Sequence, residues 1–113
     1  MSFSKFVFVQ SDNGPVKGVQ KTTVLGRNYL SFHGIPYMKP PVGKLRFKDA
    51  EEPEKWTEPL DATGKRPSYL GYNRMSFQFE GQEDAGIVSV LTPNLNQKLP
   101  VAVYIHGGGF QMP

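Results

Sequence analysis

Leu99, Pro100, Val101, Ala102, Val103, Tyr104 and Ile105 form an apolar run that stops at His106 and three consecutive glycines, Gly107, Gly108 and Gly109. β-Branched and aromatic side chains favour a pleated strand. The absence of alternation predicts a strand covered on both faces, as in a sheet flanked by helices. The glycines then remove every Cβ where the chain leaves that strand, so N–H groups can approach a ligand closely and φ can turn positive. Such a loop suits stabilisation of an oxyanion. Backbone donors fixed about 3 Å from an oxygen that is gaining charge contribute roughly 3–4 kcal/mol each to transition-state stabilisation.

Five further motifs stand in order ahead of this loop: Gly34-Ile35-Pro36-Tyr37, Pro40-Pro41-Val42-Gly43, Leu45-Arg46-Phe47, Glu83-Asp84 and Thr92-Pro93-Asn94-Leu95. With them the chain resembles the opening segment of the type-B carboxylesterases, and among these the insect alpha-esterases. The resemblance spans residues 7–113. It implies an α/β fold in which residues 1–113 are the N-terminal, mostly β portion of a single α/β-hydrolase domain. It also implies serine-dependent hydrolysis of small lipophilic carboxylic esters through an acyl-enzyme, with no cofactor. Gly108 and Gly109 would supply the oxyanion-hole N–H groups, and Gly107 would allow the turn. Members of the family carry the nucleophile in a G-x-S-x-G elbow after this loop, followed by an acidic residue and then a histidine. No G-x-S-x-G occurs in the 113 residues; Ser76 and Ser89 lack those flanks, and His33 and His106 precede any such elbow. The chain is therefore expected to be an N-terminal fragment that supplies the oxyanion hole, lacks the triad and is inactive alone.

An alternative parent is a non-catalytic, adhesion-type relative that keeps the fold for protein binding. Such relatives are expected to be secreted and disulfide-bonded and have no need of the triple glycine, and this sequence departs from them in each respect. It contains no cysteine. The resemblance puts a disulfide between positions near Tyr69 and Ala85, both non-cysteine here. Losing such a bridge costs roughly 2–5 kcal/mol in small secreted domains, a cost more easily borne by a chain that lives in a reducing compartment. The apolar run within residues 1–10 is too short for a signal-peptide core, and no apolar stretch is long enough to span a membrane. A cytoplasmic protein is expected.

Hydrophobic residues make up 38% of the chain and aromatic residues 12%, enough for a core and unlike a disordered composition. Twelve glycines and ten prolines predict short strands joined by long connections, with little regular structure over residues 36–82. The net charge of +3 conceals an asymmetry: residues 1–48 carry +7 and residues 49–61 carry −5. The basic charges are scattered and no binding motif accompanies them, which argues against a nucleic-acid partner.

Strands are predicted over residues 6–10 and 16–23, joined into an antiparallel hairpin by Asp12, Asn13, Gly14 and Pro15. A third is predicted over residues 29–35, ending at Pro36, and the proline-rich residues 36–41 should lie outside any ladder. The resemblance implies that Arg46 pairs with Glu83, in a fork that braces the proline-rich segment against a later loop. It makes Trp56 a packing anchor for the acidic segment. Between Tyr69 and Ala85 there is no tryptophan, the residue that cholinesterase-like relatives use there as a cation platform. A broad apolar acyl or alcohol pocket is expected in place of quaternary-ammonium recognition. His106 is read as a brace for its loop rather than a general base. His33 has no Cys, Asp or second His at ligand spacing, and no metal site is expected.

Overall fold

Alternation of exposed and half-buried residues in Phe-Val-Phe-Val-Gln-Ser makes strand β1 (Phe6–Ser11), and β2 (Gly14–Thr22) returns beside it. The computed structural model describes residues 5–110. The hairpin turn is tighter than the sequence implied. Ser11 pairs with Gly14 and Gln10 with Pro15, so Asp12 and Asn13 alone form the turn. Pro15 is tolerated because β2 places it at one end of the ladder, where one missing donor costs little.

Strand β3 (Asn28–Pro36) pairs antiparallel with β2 from Thr22–Asn28 to Val19–Ser31, after which the two strands diverge. The two-residue strand β4 (Leu60–Asp61) enters the gap, parallel to β2, with Leu60 opposite Val16. The next residue, Ala62, stitches all three together: its N–H donates to the Lys17 carbonyl at 2.8 Å and its carbonyl accepts from His33 N–H at 2.7 Å. Ala62 is fully buried. A larger side chain would have no room between the strands.

The last strand of this sheet comes late in the chain and pairs antiparallel with β3. The ladder runs from Leu30–Thr92 to Pro36–Ile87, with an irregularity between Phe32 and Ile35. Gly34 sits in that irregularity with φ +82. Pro36 thus belongs to a ladder after all, at its last rung, where its lack of an N–H matters least. Between these elements the chain is largely irregular. It makes a 3₁₀ turn at Gly43–Leu45 and a separate hairpin of β5 (Gly71–Asn73) and β6 (Gln78–Glu80), leaving β7 as Ile87–Thr92. Main-sheet order is β1-β2-β3-β7, with β4 beside β2.

The core is small: Val16, Phe32 and Ala62, with Val7, Val9, Leu30, Ile35 and Trp56 packed around them. Residues 101–105 differ from expectation. They carry no ladder among the described residues, and Val101, Val103, Tyr104 and Ile105 are 82–88% exposed. Their pattern asks for two covering layers and a strand partner, and residues 5–110 offer none.

Candidate functional site

The segment His106 to Gly109 lies beyond the last ladder, with backbone that only glycine adopts readily. Gly108 has φ +138 and Gly109 φ +60, and Phe110 continues in the left-handed region at +60. A phenylalanine there costs roughly 1 kcal/mol, and its side chain is fully exposed. Among the described residues, a Cβ built at Gly107 or Gly109 would meet nothing within 4 Å. Open space around bare N–H groups is the arrangement in which a carbonyl oxygen can reach two donors. His106 Nδ1 lies 2.7 Å from the carbonyl oxygen of Gly107. Because that oxygen only accepts, Nδ1 is the donor in this contact.

Arg46 Nε donates to Glu83 Oε1 at 2.9 Å, linking the turn after Gly43–Leu45 to the loop before β7. One nitrogen–oxygen contact joins them rather than a fork. Both side chains are about half exposed, so the pair sets geometry more than it adds stability. Arg46 also lies over the Phe47 ring, 5.2 Å from its centroid.

Trp56 reaches back across the β1–β2 turn. Its backbone N–H donates to the Asn13 carbonyl at 2.8 Å, and indole Nε1 donates to the Pro15 carbonyl at 2.7 Å. Just before it in sequence, Glu51 and Glu54 hold Lys39 Nζ at 3.0 and 3.2 Å, and these partners raise the Lys39 pKa. The acidic segment is thus tied to the sheet at one end and to the proline-rich passage at the other.

The loop from Tyr69 to Ala85, which contains no cysteine, closes through its backbone. Tyr69 bridges Gln82, and Gln82 N–H donates to the Ser68 carbonyl at 2.9 Å. Burial, with a hydrogen bond to Tyr37, pushes the Tyr69 hydroxyl up to about 12, so it stays protonated. Inside the loop the Tyr72 and Phe79 rings meet edge-on, with centroids 5.3 Å apart. Glu80 accepts from Asn73 at 2.9 Å and from Ser76 at 2.5 Å, which lowers its pKa.

His33 stands apart from the glycine loop, on β3. Burial, assisted by the charge of Lys21, lowers its pKa. Arg66 was not singled out from the sequence. Its guanidinium donates to the Asp61 and His33 carbonyls, and its stem occupies the space a Cβ at Gly34 would need. The crossing shows in the structure as the left-handed conformation of Gly34, φ +82.

In solved structures this arrangement of strands and loops occurs in carboxylesterases of the α/β-hydrolase class. A crystal structure of juvenile hormone esterase from Manduca sexta, with OTFP covalently attached, superposes with a TM-score of 0.79 at 33% identity, covering 96% of this chain and 22% of that one. The carboxylesterase family model matches residues 5–113, and the chain belongs to that family. It is 42% identical over 104 residues to esterase B1 of Culex pipiens, covering 90% of this chain and 19% of that protein. It is 41% identical over 106 residues to juvenile hormone esterase of Tribolium castaneum, covering 90% and 18%. The chain spans about a fifth of the length of the curated relatives it matches.

Proposed function

We propose that the protein carrying this chain is a serine carboxylesterase in which Gly108 and Gly109 donate backbone hydrogen bonds to the ester's developing oxyanion. The observation that carries the proposal is the family match over residues 5–113 together with the open glycine loop at its end. As a serine from outside these residues attacks, the carbonyl oxygen of the ester becomes an alkoxide. Donors already in place pay no reorganisation cost at that moment, and each stabilises the tetrahedral intermediate by roughly 3 kcal/mol. Gly107 provides the turn, and the His106–Gly107 hydrogen bond limits its rocking.

The substrate is a small lipophilic ester, since the loop between Tyr69 and Ala85 offers Tyr72, Phe77 and Phe79 but no tryptophan platform for a quaternary ammonium. The positions near Tyr69 and Ala85 where a disulfide was expected carry no cysteine, and on that ground the proposal extends to a cytoplasmic location. No helix among the described residues is long and apolar enough to cross a membrane.

Purified native protein should hydrolyse a short-chain aryl ester and lose that activity as an organophosphate labels one serine per chain. Folded protein that neither turns over the ester nor takes up the label would favour the adhesion-type reading.

A further inference from the structure

Asn13-Gly14 is the peptide pair in which an asparagine side chain cyclises most easily, because glycine puts no Cβ in the path of its own nitrogen. In this chain the pair occupies the β1–β2 turn, where Ser11 is in register with Gly14. Three successive carbonyls there are each held. Asn13 accepts from Trp56 N–H at 2.8 Å, Gly14 from Ser11 Oγ at 2.7 Å, and Pro15 from Trp56 Nε1 at 2.7 Å. Gly14 is buried with φ +146, and a Cβ there would lie 2.6 Å from Trp56 Nε1, so the indole seals the turn.

We propose that Asn13-Gly14 is a latent self-modification site kept closed by the Trp56 clasp. When the clasp opens, the Gly14 nitrogen gives its proton to solvent base and attacks Asn13 Cγ. The Cγ–N bond of the side-chain amide breaks, ammonia leaves, and a five-membered succinimide remains. Water then opens the ring at either carbonyl and yields aspartate or isoaspartate. The reaction consumes one water and releases one ammonia. It needs rotation about the Asn13 backbone, which the anchored carbonyls on both sides of the peptide oppose. The isoaspartyl product adds a methylene to the main chain of a turn that has two residues between paired strands. It also adds a negative charge beside Asp12. Re-formation of the Ser11–Gly14 register, and of the Trp56 contacts that depend on it, is then disfavoured, so one opening event leaves a permanent mark.

The test incubates native protein in mildly alkaline buffer and follows Asn13 by peptide mass and by isoaspartyl content. Trp56→Phe keeps a ring and loses one hydrogen bond, and Trp56→Ala loses the cover as well. Loss of one ordinary hydrogen bond predicts about fivefold faster conversion for Trp56→Phe, and at least about tenfold is expected for Trp56→Ala. Val19→Ala, which weakens the sheet where β2 faces Phe6 and Ser31, away from the turn, controls for general loosening; it should convert at nearly the native rate. Conversion in native protein as fast as in the urea-unfolded chain would overturn the proposal. So would Trp56 variants no faster than native, or a Val19→Ala acceleration equal to theirs at matched stability. Should Trp56→Ala fail to fold, Trp56→Phe decides the question.

Discussion

Gly18→Ala places one carbon against the centre of the small core. A Cβ at this position would fall 2.5 Å from Phe32 Cδ1 and 2.8 Å from the Ser31 carbonyl oxygen. Phe32 is 3% exposed, in a cluster with Val16 and Ala62 and with Leu30, Ile35 and Trp56 around it, so its ring has little room to yield. Overpacking of this kind costs roughly 1–3 kcal/mol. Replacing glycine in a strand returns roughly 0.5–1 kcal/mol of backbone entropy, because Gly18 does not use positive φ. The net expectation is destabilisation of about 1–2 kcal/mol, read as a lower urea midpoint with unchanged slope. Phe32→Leu in the same chain should relieve the clash, so the double variant should lose less than the sum of the singles. Gly26→Ala is the control, since Gly26 has φ +77 and nothing within 4 Å of its would-be Cβ. Its cost, roughly 1 kcal/mol of left-handed strain, should add independently to that of Phe32→Leu. A neutral Gly18→Ala, or strict additivity with Phe32→Leu, would show that the core is looser than this packing.

For the surface pair, Arg46→Ala and Glu83→Ala should each cost under about 1 kcal/mol, with a measurable coupling between them in a double-mutant cycle; additive losses would mean the 2.9 Å contact carries no energy. Glu80 has a folded pKa below its unfolded value, so its contribution is full above the ordinary carboxylate range and disappears as pH falls through the lowered value. Amide protection factors in β5 and β6, corrected for the intrinsic pH dependence of exchange, should therefore fall selectively at acidic pH, and Ser76→Ala should shift that onset upward; a pH-independent hairpin would refute the link. Residues 1–113 produced as an isolated polypeptide should elute as broad oligomers, because Val101, Val103, Tyr104 and Ile105 stay open to pairing. A sharp monomer peak with cooperative unfolding would contradict this.

The N-terminal hairpin could be read directly, because alternation in β1 and the Asp12-Asn13-Gly14 turn chemistry both act within a few residues. Its exact turn could not, since Pro15 reads as a strand breaker unless one knows that it falls at the end of a ladder. Strand β4 was invisible. Two residues carry no periodicity, and Leu60–Asp61 is a strand only because β2 and β3 diverge and leave backbone groups for it and Ala62 to satisfy. The Arg46–Glu83 pairing was expected from resemblance rather than from spacing, since 37 residues of sequence separate the partners. Arg66 left no sequence signal of its own. The run over residues 101–105 shows the opposite case: its pattern describes surroundings that residues 5–110 do not contain.

The most direct measurement of the central claim is kcat for a simple aryl ester in native protein and in Gly109→Val, with thermal unfolding followed in parallel. Valine at φ +60 strains the backbone by roughly 1–2 kcal/mol, and the thermal midpoint shows whether the variant is folded when turnover is compared. If the Gly108 and Gly109 N–H groups hold the oxyanion, turnover should fall at least about a hundredfold. Near-native turnover in a folded Gly109→Val protein would contradict the account.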